Sequence, residues 1–340
     1  MKKKHNFAIV GALGKVGTEM IKILEVSPLA IKSVTLMDRL PFSGQRITFR
    51  GEEHLIVASE EGNLRGVDIV LFSAGEAASK ELAPLANKQG CVVIDNSAAF
   101  RMDPQVPLVV PEVNPQDVEW HPGIIANPNC STIQLVVVLK PIHDAYTIKR
   151  VVVSTYQAVS GSGKAAVEEL EQQIHAYVRG EPLSWEVYPH QIAFNALPHI
   201  DTFQQNLYTK EEMKMVHETH KILDESIKVT ATTVRIPVVV GHSESVNIET
   251  EKPFILKEVH QLLAQAPGVA VEDDPSRNLY PLALKAAGRD EVFVGRIRRD
   301  DTVPNGMNLW IVADNLRKGA ALNAIQIAEL IIKEELVRVP

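Results

Sequence analysis

The stretch from Phe7 to Leu24 restricts the possible folds more than any other. Phe7-Ala8-Ile9-Val10 is a short apolar run suited to a buried strand, and it leads directly into Gly11-Ala12-Leu13-Gly14-Lys15-Val16-Gly17. Val16, Met20, Ile23 and Leu24 then recur at helical spacing. Glycines between a strand and a helix let the backbone turn tightly and approach a ligand closely, while the first N–H groups of the helix have no partner within it. The G-x-x-G-x-x-G spacing is not the commoner G-x-G-x-x-G, yet the strand, turn and helix around it are those of a Rossmann-type unit that cradles a pyrophosphate. Gly11, Leu13, Gly14, Lys15 and Val16 are therefore candidate cofactor contacts, with a plain glycine-rich turn as the competing reading.

More strands of the same kind follow. Ser33-Val34-Thr35-Leu36-Met37 ends in Asp38-Arg39. An acidic residue there can accept hydrogen bonds from ribose hydroxyls and would repel a 2′-phosphate, whereas Arg39 could pair with a phosphate or lie over an adenine. A solvated loop charge explains Asp38 equally well. Thr48 to Ala58 has hairpin or edge-strand character. Val67 to Phe72 is a strong strand running into Ser73-Ala74-Gly75, a turn small enough to sit beside a cofactor, and a helix to Gln89 follows. Cys91-Val92-Val93-Ile94 is another buried strand, which makes Cys91 a core residue. Beyond it lie Asp95 to Arg101, polar residues outside the carboxyl end of a strand, where open α/β sheets bind ligands, and Arg101 is an anion-binding candidate there.

Ile125-Ala126-Asn127-Pro128-Asn129-Cys130-Ser131-Thr132, followed by Ile133 to Leu139, places a cysteine where irregular chain becomes helix. Unpaired N–H groups and the positive helix end stabilise a thiolate in that position, although a small buried hydrophobe would also suit it. Pro141 is expected to stop the helix. Lys149 to Gln157 reads as a strand with Val151, Val153, Thr155 and Gln157 on one face. Val159-Ser160-Gly161-Ser162-Gly163-Lys164 is a second glycine-bearing turn, before a helix with Val167, Leu170, Ile174 and Tyr177 along one line. Glu211 and Lys214 share the face of a further helix, in isolation a surface ion pair more often than a site. Val229 to Val240 reads as a long strand with Val234, Ile236, Val238 and Val240 facing the core and Arg235 opposite, closed by Gly241-His242. Pro237 can bend it so that Arg235 and His242 reach one pocket. Strands over 290–297 and 307–313 complete a mostly β second domain, whose open sheet face calls for helices or a second subunit. Asp314-Asn315 caps a last helix, through Ala321, Ile325, Ala328 and Ile332, expected to pack back on the first domain.

The chain has 340 residues, enough for two domains, and 45% of them are apolar. Asp and Glu outnumber Lys and Arg by 42 to 35, a formal charge of -7, and no basic stripe points to nucleic acid. The Lys2-Lys3-Lys4 run is a solvated start to the first strand. No apolar run is long enough to span a bilayer, and no leader segment precedes the first strand, so neither a membrane nor secretion is expected and the placement is cytoplasmic. Two cysteines without a CxxC pair indicate free thiols and no metal.

A dinucleotide site, a helix-start cysteine, a histidine and several anion-binding residues combine in few ways. The cysteine could attack a carbonyl, hydride transfer could convert the adduct to a thioester, and phosphate could cleave it, with His242 accepting and giving the proton. A regulatory nucleotide sensor would not need Cys130.

At this point the ordered blocks are recognisable. The chain resembles the bacterial aspartate-semialdehyde dehydrogenase family over essentially its full length. The resemblance rests on Gly11 to Gly17, Asn96 to Arg101, Val109 to Asn114, Asn127 to Thr132, Ser154 to Gly161, Gln191 to Asn195, Glu211 to Lys214, Arg235 to His242 and Trp310 to Lys318. It implies an α/β fold: a Rossmann-type dinucleotide-binding domain over 1–130, completed by a C-terminal helix over 316–340, and an α+β catalytic and dimerisation domain over 131–315, similar to the C-terminal domains of glyceraldehyde-phosphate dehydrogenases. It also implies the reversible, phosphate-dependent conversion of 4-aspartyl phosphate and reduced NADP to aspartate 4-semialdehyde. That reaction feeds diaminopimelate, lysine, methionine, threonine and isoleucine synthesis. Carried over residue by residue, Cys130 forms the acyl-enzyme, His242 handles the proton and Gln157 positions the substrate. Arg235 clamps the α-carboxylate, Glu211 receives the ammonium group, Arg101 with Lys214 holds the phosphate, and Asn129 adjoins the substrate. Leu13 to Val16, Ser160, Gly161 and Asn315 contact the cofactor, alongside Gly11, Asp38, Ser73 and Gly75, which the residues themselves nominate. A homodimer is implied, in some members paired into a tetramer.

Two departures bear on the cofactor. Leu13 stands where the family usually carries Thr, and Pro41 and Phe42 stand where an Arg-Ser pair commonly meets the 2′-phosphate. With Asp38 beside them, NADP is the implied cofactor and NAD the alternative. Among functions, the alternatives are an N-acetyl-glutamyl-phosphate reductase, whose substrate has no ammonium for Glu211 to receive, and a non-catalytic nucleotide-binding paralogue.

Overall fold

The computed structural model describes residues 3–337, so the expectations touching Lys2 and the last three residues of the 316–340 segment lie outside the described residues. The chain divides into two compact units, one running up to Asn129 and resuming at Ala320, the other Cys130–Gly319. The boundaries differ slightly from the expected 130/131 and 315/316. Cys130 opens the first helix of the second unit, and Gly319 packs against it so closely that a Cβ there would lie 2.9 Å from the Cys130 Cβ.

The first unit contains β1 (His5–Val10), α1 (Lys15–Val26), β2 (Ile31–Asp38), β3 (Arg46–Phe49), β4 (Glu52–Ala58), β5 (Ile69–Phe72), α2 (Glu76–Lys88), β6 (Val92–Asp95) and β7 (Ile124–Ala126). They form one sheet in the order β3-β4-β2-β1-β5-β6-β7. All neighbours are parallel except the β3–β4 hairpin at one edge. Phe7 to Val10, Ile69 to Phe72 and Val92 to Ile94 have no exposed surface, as strands covered on both faces require. The C-terminal helix Leu322–Lys333 supplies Ile325, Ala328 and Ile331 to the same core as Phe7, Ile9 and Leu71. Cys91 is fully buried just before β6, and burial pushes its thiol up to about 11, so it is core material.

The second unit contains α3 (Cys130–Tyr146), β8 (Ile148–Gln157), α4 (Lys164–Arg179), α5 (Lys210–Ile222), β9 (Lys228–Arg235), β10 (His242–Thr250), α6 (Leu256–Gln265), β11 (Val269–Val271), α7 (Ala283–Ala286), β12 (Val292–Asp300) and β13 (Gly306–Ala313). Its mixed sheet runs β11-β12-β13-β10-β8-β9. One face is buried, with Val151, Val153, Thr155 and Gln157 of β8, Val246 and Ile248 of β10, and Ala231, Thr233 and Arg235 of β9. On the other, Tyr156 packs against Trp310, and both are partly exposed.

Four sequence expectations do not hold in the structure. Pro141 does not stop α3, which runs on to Tyr146. A proline inside a helix costs about 3 kcal/mol, but Ile133 to Leu139 and Ile142 are all buried, and that packing holds the helix through it. The strand expected over 229–240 ends at Arg235, and its buried side is Ala231, Thr233 and Arg235 rather than the valine side. Pro237 has no N–H for a ladder, and Val238 and Val239 instead accept from the N–H groups of Val159 and Ser160. His242 opens a strand rather than closing one. His242-Ser243-Glu244-Ser245 looks too polar for a central strand, yet β10 is paired on both sides, by β8 and β13. The apolar line of α4 is also only half buried, since Ile174 is 41% and Tyr177 61% exposed.

Candidate active site

In the first unit the glycine turn is built for close approach. Gly11 adopts φ +86°, and a Cβ there would lie 2.4 Å from the Ser73 carbonyl oxygen. Gly17 is as restricted, since its Cβ would lie 2.1 Å from the Gly11 oxygen. Leu13 N–H donates to Asp38 Oδ2 at 2.9 Å, and Arg39 N–H donates to Oδ1 at 2.8 Å, so the carboxylate at the end of β2 holds the turn in shape. Lys15 and Val16 begin α1, whose N-terminus has no capping side chain and no acid in its first turn. Its N–H groups are thus left to an outside anion, which is the fit a pyrophosphate requires. Ser73 donates its N–H to the Val10 carbonyl, and Gly75, at φ +86°, precedes α2. Arg101 is buried, with Nε donating to the Asn127 carbonyl at 2.9 Å and Nη2 to the Asn96 carbonyl at 2.7 Å; Asn129 is buried as well.

In the second unit the structure brings Gln157, Glu211, Lys214, Arg235 and His242 together. Thr155 Oγ1 donates to Gln157 Oε1 at 3.0 Å, which orients the amide so that its Nε2 donates to Glu211 Oε1 at 3.1 Å and lies 3.4 Å from His242 Nε2. Glu211 sits in the first turn of α5 because Thr209 and Glu212 form a reciprocal capping box there. Lys214 Nζ donates to Glu211 Oε2 at 3.0 Å and to Asp201 Oδ2 at 2.9 Å. Burial disfavours its charge, but the two carboxylates outweigh that and raise its pKa. Arg235 ends β9, its backbone pinned in both directions by Leu197, and its buried Nε has no hydrogen-bond partner. A buried guanidinium with a donor unused is an anion site in waiting.

Ala158, which sequence reasoning passed over, positions two of these groups at once. Its N–H donates to His242 Nδ1 at 3.0 Å and its carbonyl accepts from Arg235 Nη1 at 2.6 Å. No side-chain signal could have found it, because the backbone does the work. His242 is fully buried. Desolvation, then the Arg235 cation, push its pKa down to about 3, against the opposing pull of Glu211. The ring is neutral at physiological pH, and a backbone donor at Nδ1 puts its proton on Nε2. Gly161 closes over the pair, since a Cβ there would lie 3.1 Å from Arg235 Nη1 and 3.3 Å from His242 Nε2. Asn315 ties the same turn down, with Nδ2 donating to Ser160 Oγ at 2.9 Å and Oδ1 accepting from the Gly241 N–H at 2.9 Å. Among the described residues no cluster of His, Cys, Asp and Glu could hold a metal ion.

A Rossmann-type unit joined to a sheet domain that carries a helix-start cysteine and a buried imidazole is the architecture of a semialdehyde dehydrogenase. The models of that class match accordingly, "Semialdehyde dehydrogenase, NAD binding domain" over residues 6–121 and "Semialdehyde dehydrogenase, dimerisation domain" over 139–318. The chain is 56% identical over 338 residues to the aspartate-semialdehyde dehydrogenase of Aquifex aeolicus, covering 98% of this chain and 99% of that one. It is 50% identical to that of Bacillus subtilis, covering 97% and 98%. The crystal structure of aspartate semialdehyde dehydrogenase II from Vibrio cholerae complexed with ASA superposes with a TM-score of 0.96 at 45% identity, covering 98% of this chain and 99% of that one. The chain belongs to the aspartate-semialdehyde dehydrogenase family: a dinucleotide-dependent oxidoreductase of amino-acid biosynthesis with a dimerisation domain. No helix among the described residues is long and apolar enough to cross a membrane.

Proposed function

We propose that Cys130 is the covalent centre of the aspartate-semialdehyde dehydrogenase reaction this chain catalyses, with Gln157, Glu211, Lys214, Arg235 and His242 as its substrate-handling groups. The observation that carries the assignment is the placement of Gln157 Nε2, which donates to Glu211 at 3.1 Å and lies 3.4 Å from His242 Nε2, so that an acid and the imidazole flank one buried amide. An α-amino acid aldehyde carries both an ammonium and a carboxylate. Glu211 matches the first, and Arg235, with its unpartnered Nε, matches the second.

The Cys130 thiolate attacks the aldehyde carbon, forming the S–C bond while the carbonyl oxygen gains negative charge. His242 cannot take a proton at Nε2, which already bears one, so it donates that N–H to the charged oxygen as the adduct forms. When bound, the nicotinamide supplies the redox chemistry, taking the hydride in this direction and giving it in reverse. The resulting Cys130 thioester is opened by a phosphate oxygen, which breaks the S–C bond and releases the acyl phosphate. Lys214 receives phosphate in this reading, and Arg101, in the first unit, is assigned the same ligand by family resemblance.

For the cofactor, Gly11, Leu13, Gly14, Lys15 and Val16 with the uncapped α1 N-terminus would hold the pyrophosphate, beside Ser73 and Gly75 of the same unit; Ser160, Gly161 and Asn315, in the second unit, are assigned to the cofactor by family resemblance. NADP is the family's dinucleotide and the first reading, with Arg39 as the candidate partner of its 2′-phosphate. NAD is the second, favoured by the Asp38 carboxylate at the end of β2 and by Pro41 and Phe42, which offer a 2′-phosphate no side-chain donor. The test is a phosphate-dependent assay with aspartate semialdehyde, comparing kcat/KM for NAD and NADP, beside the Cys130→Ser variant. Turnover is expected from the wild type and none from the variant; full turnover by Cys130→Ser removes the covalent mechanism. N-acetyl-glutamate semialdehyde as an equal or better substrate would overturn the role of Glu211.

A further inference from the structure

The first unit holds a cavity that neither the dinucleotide nor the substrate reading uses. Its volume is about 610 Å³, inside the range of roughly 300–1,000 Å³ typical of small-molecule sites. His5, the first residue of β1, lines it together with Leu29 from the α1–β2 connection and Glu329 and Ile332 from the C-terminal helix. A strand rises about 3.3 Å per residue, so the length of β1 puts about 20 Å between this cavity and the Gly11 turn.

Three side chains there have binding capacity to spare. His5 is 4% exposed, yet Nδ1 is sealed in without a hydrogen bond and Nε2 has no partner among the described residues either. The Asp68 carboxylate stands 3.9 Å from Nδ1, beyond hydrogen-bond reach. Burial lowers the His5 pKa, the Asp68 charge opposes this, and Lys3 is near enough to add to the lowering, so the ring is neutral and can donate. Glu329 is half-buried, and its one partner among the described residues is the Ser27 hydroxyl, which donates to Oε1 at 3.3 Å. Burial raises the Glu329 pKa, and no cation is near enough to pull it back. Lys3 also lines the cavity, exposed and paired with no carboxylate among the described residues, whereas Lys333 is taken by Glu334 at 3.0 Å. With Glu335, the charged lining residues sum to zero. The rest of the wall is apolar, with Leu29, Ile332 and Val337 packed against the core of the unit and only partly covered.

A half-buried carboxylate without a cation calls for an ammonium group, and a free lysine beside a neutral imidazole donor calls for a carboxylate. A ligand with one of each adds no net charge to a lining that has none, and an apolar chain between them covers Leu29 and Ile332. We propose that this cavity is a binding site for an apolar α-amino acid, its ammonium against Glu329, its carboxylate against Lys3 and His5, and its side chain on Leu29 and Ile332. The site is separate from the substrate cluster of the second unit, which also suits a zwitterion, and the test has to tell the two apart.

The full-length enzyme is titrated calorimetrically with L-leucine at up to about 10 mM, and saturable binding is expected. Isoamylamine and isocaproate, which are leucine without its carboxylate and without its ammonium, should each bind at least about tenfold more weakly, and L-serine, which lacks the apolar chain, likewise. Glu329→Gln should weaken leucine binding about tenfold and Lys3→Met a few-fold, the smaller effect following from the exposure of Lys3. Ile332→Trp, which fills the apolar part of the cavity, should abolish it. These three variants should keep the wild-type kcat and KM for aspartate semialdehyde, and Arg235→Met, which disables the substrate cluster, should bind leucine as the wild type does. Absence of saturable leucine binding would overturn the proposal, as would equal binding of isoamylamine, isocaproate or L-serine. So would undiminished binding by Ile332→Trp. Loss of leucine binding in Arg235→Met would place the amino acid in the substrate cluster and overturn it as well. If Ile332→Trp does not fold, Glu329→Gln against Arg235→Met decides alone.

Discussion

Burying an imidazole beside a guanidinium leaves a signature in stability that does not depend on activity. Unfolded, His242 titrates near its ordinary value of 6.5; folded, it titrates at about 3, because burial and the Arg235 cation disfavour its charged form. Below pH 6.5 the unfolded chain binds a proton that the folded ring refuses. The stability is therefore fully present above 6.5 and drains away as pH falls toward 3. Each pH unit inside that window is worth about 1.4 kcal/mol, so lowering pH from about 7.5 to about 5 should remove about 2 kcal/mol. Many other groups titrate over this range, and comparison with His242→Asn cancels them. Urea unfolding of both proteins at the two pH values, at one protein concentration because subunits associate, should show the wild type losing about 2 kcal/mol more than the variant. Arg235→Met should shrink that difference by letting the His242 pKa rise. Equal losses in wild type and His242→Asn would refute the neutral, desolvated imidazole and the donor role built on it.

Gly11→Ala should lower the melting temperature and raise KM for the dinucleotide, since the added Cβ meets the Ser73 carbonyl oxygen at 2.4 Å with φ at +86°. Gly319→Ala places a methyl 2.9 Å from the Cys130 Cβ, and should slow both turnover and Cys130 alkylation while far-ultraviolet circular dichroism stays unchanged. Lys214→Met should raise KM for phosphate and leave the alkylation rate of Cys130 as it is, in steady-state and labelling assays run side by side. Glu244, buried in β10, carries the opposite sign to His242: its pKa is raised, so its contribution is present at low pH and lost as pH rises above 4.5. Unfolding measured against pH should therefore show Glu244→Gln gaining on the wild type as pH rises above 4.5, and no relative gain would refute the raised pKa.

The parts legible in the sequence were those written in periodicity or local chemistry. Phe7 to Gly17 has the strand, turn and helix signals in one stretch, and the alternation from Val151 to Gln157 matches the buried face of β8. β9 misled because Val234, Ile236, Val238 and Val240 look like a core stripe. The buried side instead holds Thr233, which meets the capping box of α5 through its N–H and hydroxyl, and Arg235, which serves the site. β10 was invisible for a related reason: its first four residues are polar, and only pairing on both sides makes them a strand. The groups that orient the site were hidden more completely. Ala158 acts through its peptide, and Gly319 through the absence of a Cβ.

The charges of the second unit explain why the site can be buried at all. Glu211 is buried and Asp201 lies at the exposed rim, and Lys214 bridges the two carboxylates. Arg235 adds a second positive charge, and His242 is held neutral, so these five side chains sum to zero. A cluster with no net charge avoids most of the cost of taking isolated ions out of water. A zwitterionic amino acid can then enter without upsetting that balance, its ammonium against Glu211 and its carboxylate against Arg235. The suppressed His242 pKa follows from the same arrangement. An imidazolium would make the cluster a net cation beside Arg235, whereas the neutral ring keeps a donor at Nε2 for the one point where the reaction creates negative charge.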